Sequence, residues 1–194
     1  MNSNLDLWFP TIIYSNTYNR YHQERDNLIS RIEELSSNIP SGGKNWYSKI
    51  KNSCGTYDLL IDDEFSNLNF WVNQCVADLG QKLNCKENYK TTESWFNVYH
   101  KNDWQEAHYH SRNIFSCVFF LKAPVGSSPI VFENPLMPDM NAPEYTHKTS
   151  LNFEACKYEP VEGQLLIFRS HLKHLVPPHP LDDTRITLAY NVKG

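Results

Sequence analysis

The sequence predicts a mainly β fold with flanking helices, and three observations carry that expectation. Beyond residue 90, short segments rich in β-branched and aromatic residues follow one another, separated by Gly, Pro and Asn. Ahead of them lie two stretches whose apolar residues recur at helical spacing. Aromatics make up 13% of the chain, with 11 Tyr, 10 Phe and 5 Trp, which suits packing on pleated surfaces. About eight strands following two helices describe a jelly-roll sandwich, a double-stranded β-helix with both helices packed on one sheet. At 194 residues the chain is expected to form one domain over 1–194. Within it, 1–90 holds the N-terminal strand and supporting helices, and 91–194 the jelly-roll core.

Residues 8–14, Trp-Phe-Pro-Thr-Ile-Ile-Tyr, are the first strand candidate. In the charge-rich segment 21–35, Leu28, Ile29, Ile32 and Leu35 fall at helical spacing, and Pro40, Ser41, Gly42 and Gly43 close it as a loop. A second helix is marked by Phe65, Leu68, Val72, Cys75, Val76, Leu79 and Leu83, which recur at three and four to give one apolar stripe. That stripe belongs against the outside of a sheet and carries no chemistry. Strands are then expected at 94–100, 107–110, 114–122, 130–132, 151–158, 164–168, 174–176 and 184–192. The connection 134–150 contains Pro135, Pro138 and Pro143 and is long for a compact domain. Such a segment is either a lid or a disordered link.

Net charge is −4 without long runs of one sign, so no binding to nucleic acid is expected. The five cysteines, Cys54, Cys75, Cys85, Cys117 and Cys156, are odd in number, scattered, and lack a Cys-x-x-Cys pair. They read as reduced thiols of a cytoplasmic protein. The start, Met-Asn-Ser-Asn-Leu-Asp, has no signal-peptide pattern, and the longest near-continuous apolar run, 114–121, is strand-sized. No membrane association is expected. Oligomeric state is open, with a homodimer compatible with everything above.

The chemistry concentrates in a few residues. His108 and His110 lie two apart, and on a strand that spacing puts both on one face, able to grip one metal. His174 follows the buried strand 164–168 and offers a third ligand, leaving half an octahedron open, as oxygen-activating iron sites require. Arg185 and Thr187 share one face of the last strand, while Ile186, Leu188 and Tyr190 line the other. An arginine aimed into a β-sandwich needs an anionic partner, and its planar fork holds a carboxylate at two points. Tyr99, on the face of Trp95 and Asn97, supplies a phenolic hydroxyl to the same carboxylate. Glu106 also lies on the His108 face and competes with His110 as donor. His171, at odd spacing from His174, faces away, and His22, His100, His147 and His179 read as surface residues.

Several ordered motifs across 104–192 carry a resemblance. They are His108-Tyr109-His110-Ser111 with Phe115-Ser116-Cys117-Val118-Phe119-Phe120, then Pro129-Ile130-Val131-Phe132-Glu133-Asn134-Pro135. Next come Gly163-Gln164-Leu165-Leu166-Ile167-Phe168-Arg169-Ser170-His171-Leu172-Lys173-His174-Leu175-Val176-Pro177-Pro178 and Arg185-Ile186-Thr187-Leu188-Ala189-Tyr190-Asn191. Together they resemble the bacterial and viral His-x-His branch of the 2-oxoglutarate/iron(II) oxygenase superfamily, whose fold is the cupin-like jelly roll. Leu7-Trp8-Phe9-Pro10-Thr11 and Asn45-Trp46-Tyr47-Ser48 are looser likenesses. Ser111, Cys117 and Arg169 stand where the branch usually has Pro, Gly and Pro. His110 stands where the wider superfamily usually has Asp or Glu, which raises the net charge of the ligand set by one.

The resemblance implies a metal site of His108, His110 and His174 holding Fe(II), with 2-oxoglutarate as cosubstrate bound by Arg185, Thr187 and Tyr99, and O2 as oxidant. It implies oxidative decarboxylation coupled to hydroxylation of an unidentified substrate, small molecule or peptide, prolyl peptides among them. Two other readings stand beside it: a cupin-type metal enzyme with a three-histidine site and no 2-oxoglutarate, and a non-enzymatic jelly-roll binding module whose histidines are incidental.

Overall fold

A computed structural model describes residues 3–6, 8–42, 46–136 and 143–194. Strand β1 (Ile13–Thr17) leads into helix α1 (Tyr21–Ser37), the short strand β2 (Lys51–Asn52), two 3-10 turns and helix α2 (Ser66–Lys82). Strands β3 (Lys90–Tyr99), β4 (Gln105–His108), β5 (Phe115–Lys122), β6 (Ile130–Glu133), β7 (Ala155–Tyr158), β8 (Gln164–Arg169), β9 (His174–Val176) and β10 (Arg185–Lys193) follow. Among the described residues they build two antiparallel sheets, β1-β8-β5-β10-β3-β2 and β4-β9-β6-β7. This is the expected jelly roll with two helices.

Alternation along the strands explains why the larger sheet is buried on both faces. On β5, Phe115, Cys117, Phe119 and Leu121 point to the helices, while Val118 and Phe120 point between the sheets. On β8 the split is Leu165 and Ile167 against Leu166 and Phe168. The helical stripe closes the outer face: Leu28 and Ile32 of α1 and Leu68, Val72, Cys75, Val76 and Leu79 of α2 share one cluster with the sheet. Ile186, Leu188, Tyr190 and Val192 of β10 join them there. That leaves the odd-numbered side of β10, Arg185 and Thr187 included, for the interior between sheets.

Four expected strands shift, among them β3, which starts at Lys90 rather than 94. The first begins at Ile13 rather than residue 8, because Phe9 takes a positive φ of 59° beside Pro10, and pairing with β8 runs from Ile13 opposite Phe168 to Thr17 opposite Gln164. The strand at 151–158 starts only at Ala155. The strand at 107–110 ends at His108, and the chain turns through Arg112 at φ 66°. The expected first-half likenesses at Leu7 and Asn45, together with Gly43, lie outside the described residues, as do 137–142 of the segment considered as a lid.

Candidate metal and carboxylate site

The register of β10 against β3 creates a row of inward-facing pairs: Arg185 opposite Tyr99, Thr187 opposite Asn97, Ala189 opposite Trp95, Asn191 opposite Glu93. In the other sheet His108 of β4 stands directly opposite His174 of β9. A cavity between the sheets is lined by Tyr99, His108, His110, His174, Arg185 and Thr187, so the structure brings all six expected residues together. One nitrogen from each of the three histidines lies within 4.8 Å of the others.

Their tautomers follow from their partners. Each Nδ1 meets an oxygen that only accepts: the Glu106 carbonyl at 2.7 Å for His108, the Leu172 carbonyl at 2.9 Å for His174, and Asn191 Oδ1 at 2.8 Å for His110. Nδ1 therefore carries the proton and Nε2 keeps its lone pair, the form that ligates a metal. Burial, reinforced by the neighbouring His108, pushes His110 down to about 4 and His174 to about 3. Burial lowers His108 too, against the pull of Glu106. The three rings are thus neutral at pH 7.

His110 reaches the cluster without being on the strand. Its backbone N–H donates to the Ser170 carbonyl at 2.9 Å, and Trp95 stacks on its ring at 5.6 Å and 22°. Glu106 is turned elsewhere, because the β4–β9 register shifts between Gln105 and His108. Its Oε1 accepts the backbone N–H groups of Tyr47 and Ser48.

Arg185 is 1% exposed, yet its Nε and Nη1 are buried without a partner. The guanidinium lies over the Tyr99 ring at 4.6 Å and the Phe120 ring at 5.6 Å, contacts that attract a cation without saturating its donors. Burial lowers its pKa, and Tyr99 opposes that shift. The Tyr99 hydroxyl donates to Gln105 Oε1 at 2.6 Å. Thr187 is oriented by a chain of amides. The Cys54 N–H donates to Asn52 Oδ1 at 2.7 Å, Asn52 Nδ2 to Asn97 Oδ1 at 2.7 Å, and Asn97 Nδ2 to Thr187 Oγ1 at 3.4 Å. With its oxygen accepting from Asn97, the Thr187 hydroxyl has its proton left to donate.

Sequence reasoning missed Asn191, Glu93 and Gln105, whose same-face positions emerge only once the strands are in register. His179 is a correction: it is fully buried, its Nε2 against the Asp183 carbonyl at 2.8 Å, because its backbone pairs with Asn102 and Asp103 of the turn after β3 at 2.7 and 2.8 Å. His22, His100, His147 and His171 are exposed.

A jelly roll that gathers three neutral imidazoles and a buried, unsaturated arginine in one cavity presents a donor set of the kind that suits a metal and a carboxylate. Residues 93–191 match the family described as "Putative 2OG-Fe(II) oxygenase". The chain belongs to that family, whose members use Fe(II) and 2-oxoglutarate. No curated protein sequence matches it. Among solved structures it is similar to a prolyl-4-hydroxylase from Pseudomonas putida, at 15% identity and TM-score 0.65, covering 95% of this chain and 94% of that one. A viral collagen prolyl hydroxylase from Paramecium Bursaria Chlorella virus-1, in complex with 2-oxoglutarate, gives 15%, 0.57, 92% and 95% in the same order. HygX from Streptomyces hygroscopicus, with nickel, 2-oxoglutarate and hygromycin B bound, gives 12%, 0.63, 94% and 82%. Among the described residues, no helix is long and apolar enough to cross a membrane.

Proposed function

We propose that the protein is a hydroxylase in which His108, His110 and His174 hold iron(II) and Arg185, with Thr187 and Tyr99, holds the far carboxylate of 2-oxoglutarate. The observation that carries this reading is the buried Arg185, which lines the same cavity as the three histidines while its Nε and Nη1 have no hydrogen-bond partner. Leaving such a charge unpaired is costly, and a two-point carboxylate is the ligand its geometry fits. The donor set fits the metal: three neutral imidazoles suit iron(II) and leave positions open for a chelating cosubstrate. Bound there, the metal and 2-oxoglutarate supply oxygen activation, in which O2, 2-oxoglutarate and a substrate C–H yield succinate, carbon dioxide and the hydroxylated product.

The protein's own part is placement and exclusion of water. Thr187 adds a hydroxyl with its proton free beside the cation of Arg185, and the Tyr99 hydroxyl, which here donates to Gln105 Oε1, would turn to the carboxylate on binding. Trp95 stacks against His110, and Val118, Ile130, Phe168 and Val176 line the cavity with apolar surface. Two of the similar structures named above are prolyl hydroxylases and the third has hygromycin B bound, so both a peptide and a small molecule are substrate classes to test, proline-containing peptides first.

Anaerobic titration of the protein with iron(II) and then 2-oxoglutarate tests the reading. A metal-to-ligand charge-transfer band is expected on the second addition, and succinate on admission of O2. Metal binding with no such band would leave a metal enzyme that does not use 2-oxoglutarate. Absence of stoichiometric metal would leave a binding module.

A further inference from the structure

Of the three histidine rings, two hydrogen-bond to backbone carbonyls, and only His110 to a side chain. Its Nδ1 lies 2.8 Å from Asn191 Oδ1, and Asn191 Nδ2 donates to Glu93 Oε2 at 2.8 Å. Asn191 and Glu93 are direct cross-strand partners, at the last position before the β10–β3 register shifts between Asn191 and Val192. Ser116, opposite Asn191 on β5, also donates to Asn191 Oδ1 at 3.4 Å and pairs with Ser170 Oγ at 2.9 Å. Glu93 offers only acceptors once ionised, so it fixes which way the Asn191 amide points, and the amide oxygen in turn fixes the proton on His110 Nδ1.

We propose that Glu93 and Asn191 are positioning residues for the metal site, an anchored carboxylate–amide–imidazole relay that holds His110 in its Nε2-ligating tautomer. The proposal rests on the three-histidine reading of the site. His110 needs such a device because it lies past the end of β4, where no ladder fixes its side chain. The relay also sets an anion two hydrogen bonds from a ligand set that contains no carboxylate of its own. Partners of this kind strengthen metal binding by making the ring a better donor and by removing its freedom to turn.

The test uses cobalt(II) as the probe, with affinity read by chelator competition and visible absorption, and long-range nitrogen NMR of the apoprotein to read the His110 tautomer. Glu93→Gln is expected to weaken cobalt(II) roughly tenfold and Asn191→Leu roughly a hundredfold. Both should populate the second His110 tautomer while leaving the apoprotein folded. The double variant Glu93→Gln/Asn191→Asp places the carboxylate directly against Nδ1–H and is expected to recover most of the affinity and the single tautomer. Native affinity and an unchanged tautomer in Glu93→Gln would overturn the relay alone. Failure of the native protein to bind cobalt(II) would overturn the metal site and the relay with it.

Discussion

Arg185 is the residue where the proposed function and the stability of the fold oppose one another. A guanidinium kept from water with two donors unmatched is a standing penalty in the unliganded protein, only partly offset by the Tyr99 and Phe120 rings. Arg185→Met keeps much of the volume and removes the charge. The apoprotein should therefore gain stability, by about 1–3 kcal/mol in urea unfolding, as buried ion groups replaced by apolar ones do. The same change should weaken 2-oxoglutarate binding to the manganese(II)-loaded protein by roughly a hundredfold, the worth of a charge-assisted two-point contact. A variant that is less stable and binds 2-oxoglutarate normally would show that Arg185 is a structural cation. His108, His174 and Arg185 were legible in the sequence because spacing and flanking motifs fix them. The partners that orient them were not. Asn97, Gln105, Asn191 and Glu93 act across strands, so their roles depend on a register that no local pattern states.

At the scale of elements, helices and sheet meet at Gly163, in the turn that feeds β8. Its φ is +79°, and a Cβ there would lie 2.7 Å from Tyr21 Cγ. The Tyr21 ring is tethered against swinging away, because its one hydroxyl proton is shared between Glu162 Oε2 at 2.8 Å and the Leu121 carbonyl at 3.0 Å, and its oxygen accepts from Arg25 Nε at 3.1 Å. Gly163 also donates to the Phe120 carbonyl and accepts from the Tyr18 N–H, both at 2.8 Å. Gly163→Ala combines backbone strain with a clash and should cost about 3 kcal/mol, lowering the melting temperature by roughly 6–12 °C. Gly126→Ala is the control: φ is +92°, but the nearest atom is a Leu181 methyl at 3.8 Å, so only the strain of about 1 kcal/mol applies. Equal losses in the two variants would mean that Tyr21 yields. The helical stripe of α2 and the apolar centres of the long strands are legible in the sequence because their apolar periods extend over many residues. The misplaced ends at β1, β4 and β7 lie where Pro10, positive-φ residues and short pairing decide the boundary, and apolar pattern is silent on those.

For the whole molecule, the three histidines couple the closure of the sandwich to pH. His108 and His174 belong to the smaller sheet, and His110 is bonded to Asn191 of the larger one. All three are neutral in the fold, with His110 near 4 and His174 near 3, whereas an unfolded chain protonates histidine below about 6.5. Between those values the unfolded state binds more protons than the native one, so stability falls as pH falls from 6.5 toward 4. Each ring still neutral contributes about 1.4 kcal/mol per pH unit in that window. The carboxylates held low by partners, Asp62, Asp78 and Asp183, act with the same sign, but only below about 4, where unfolded carboxyl groups protonate. Urea unfolding of the metal-free protein should accordingly lose several kcal/mol between pH 6.5 and 4.5, and His110→Gln with His174→Gln should flatten that slope. A metal bound to the neutral rings adds to native stability in proportion to its free concentration over its dissociation constant, about 2.7 kcal/mol at a hundredfold excess. Protons compete for the same nitrogens, so the metal's contribution should shrink over the same pH window. A flat apoprotein profile from pH 6.5 to 4.5 would mean that the rings are solvated and protonate in place, and the exclusion of water proposed for the site would have to be abandoned.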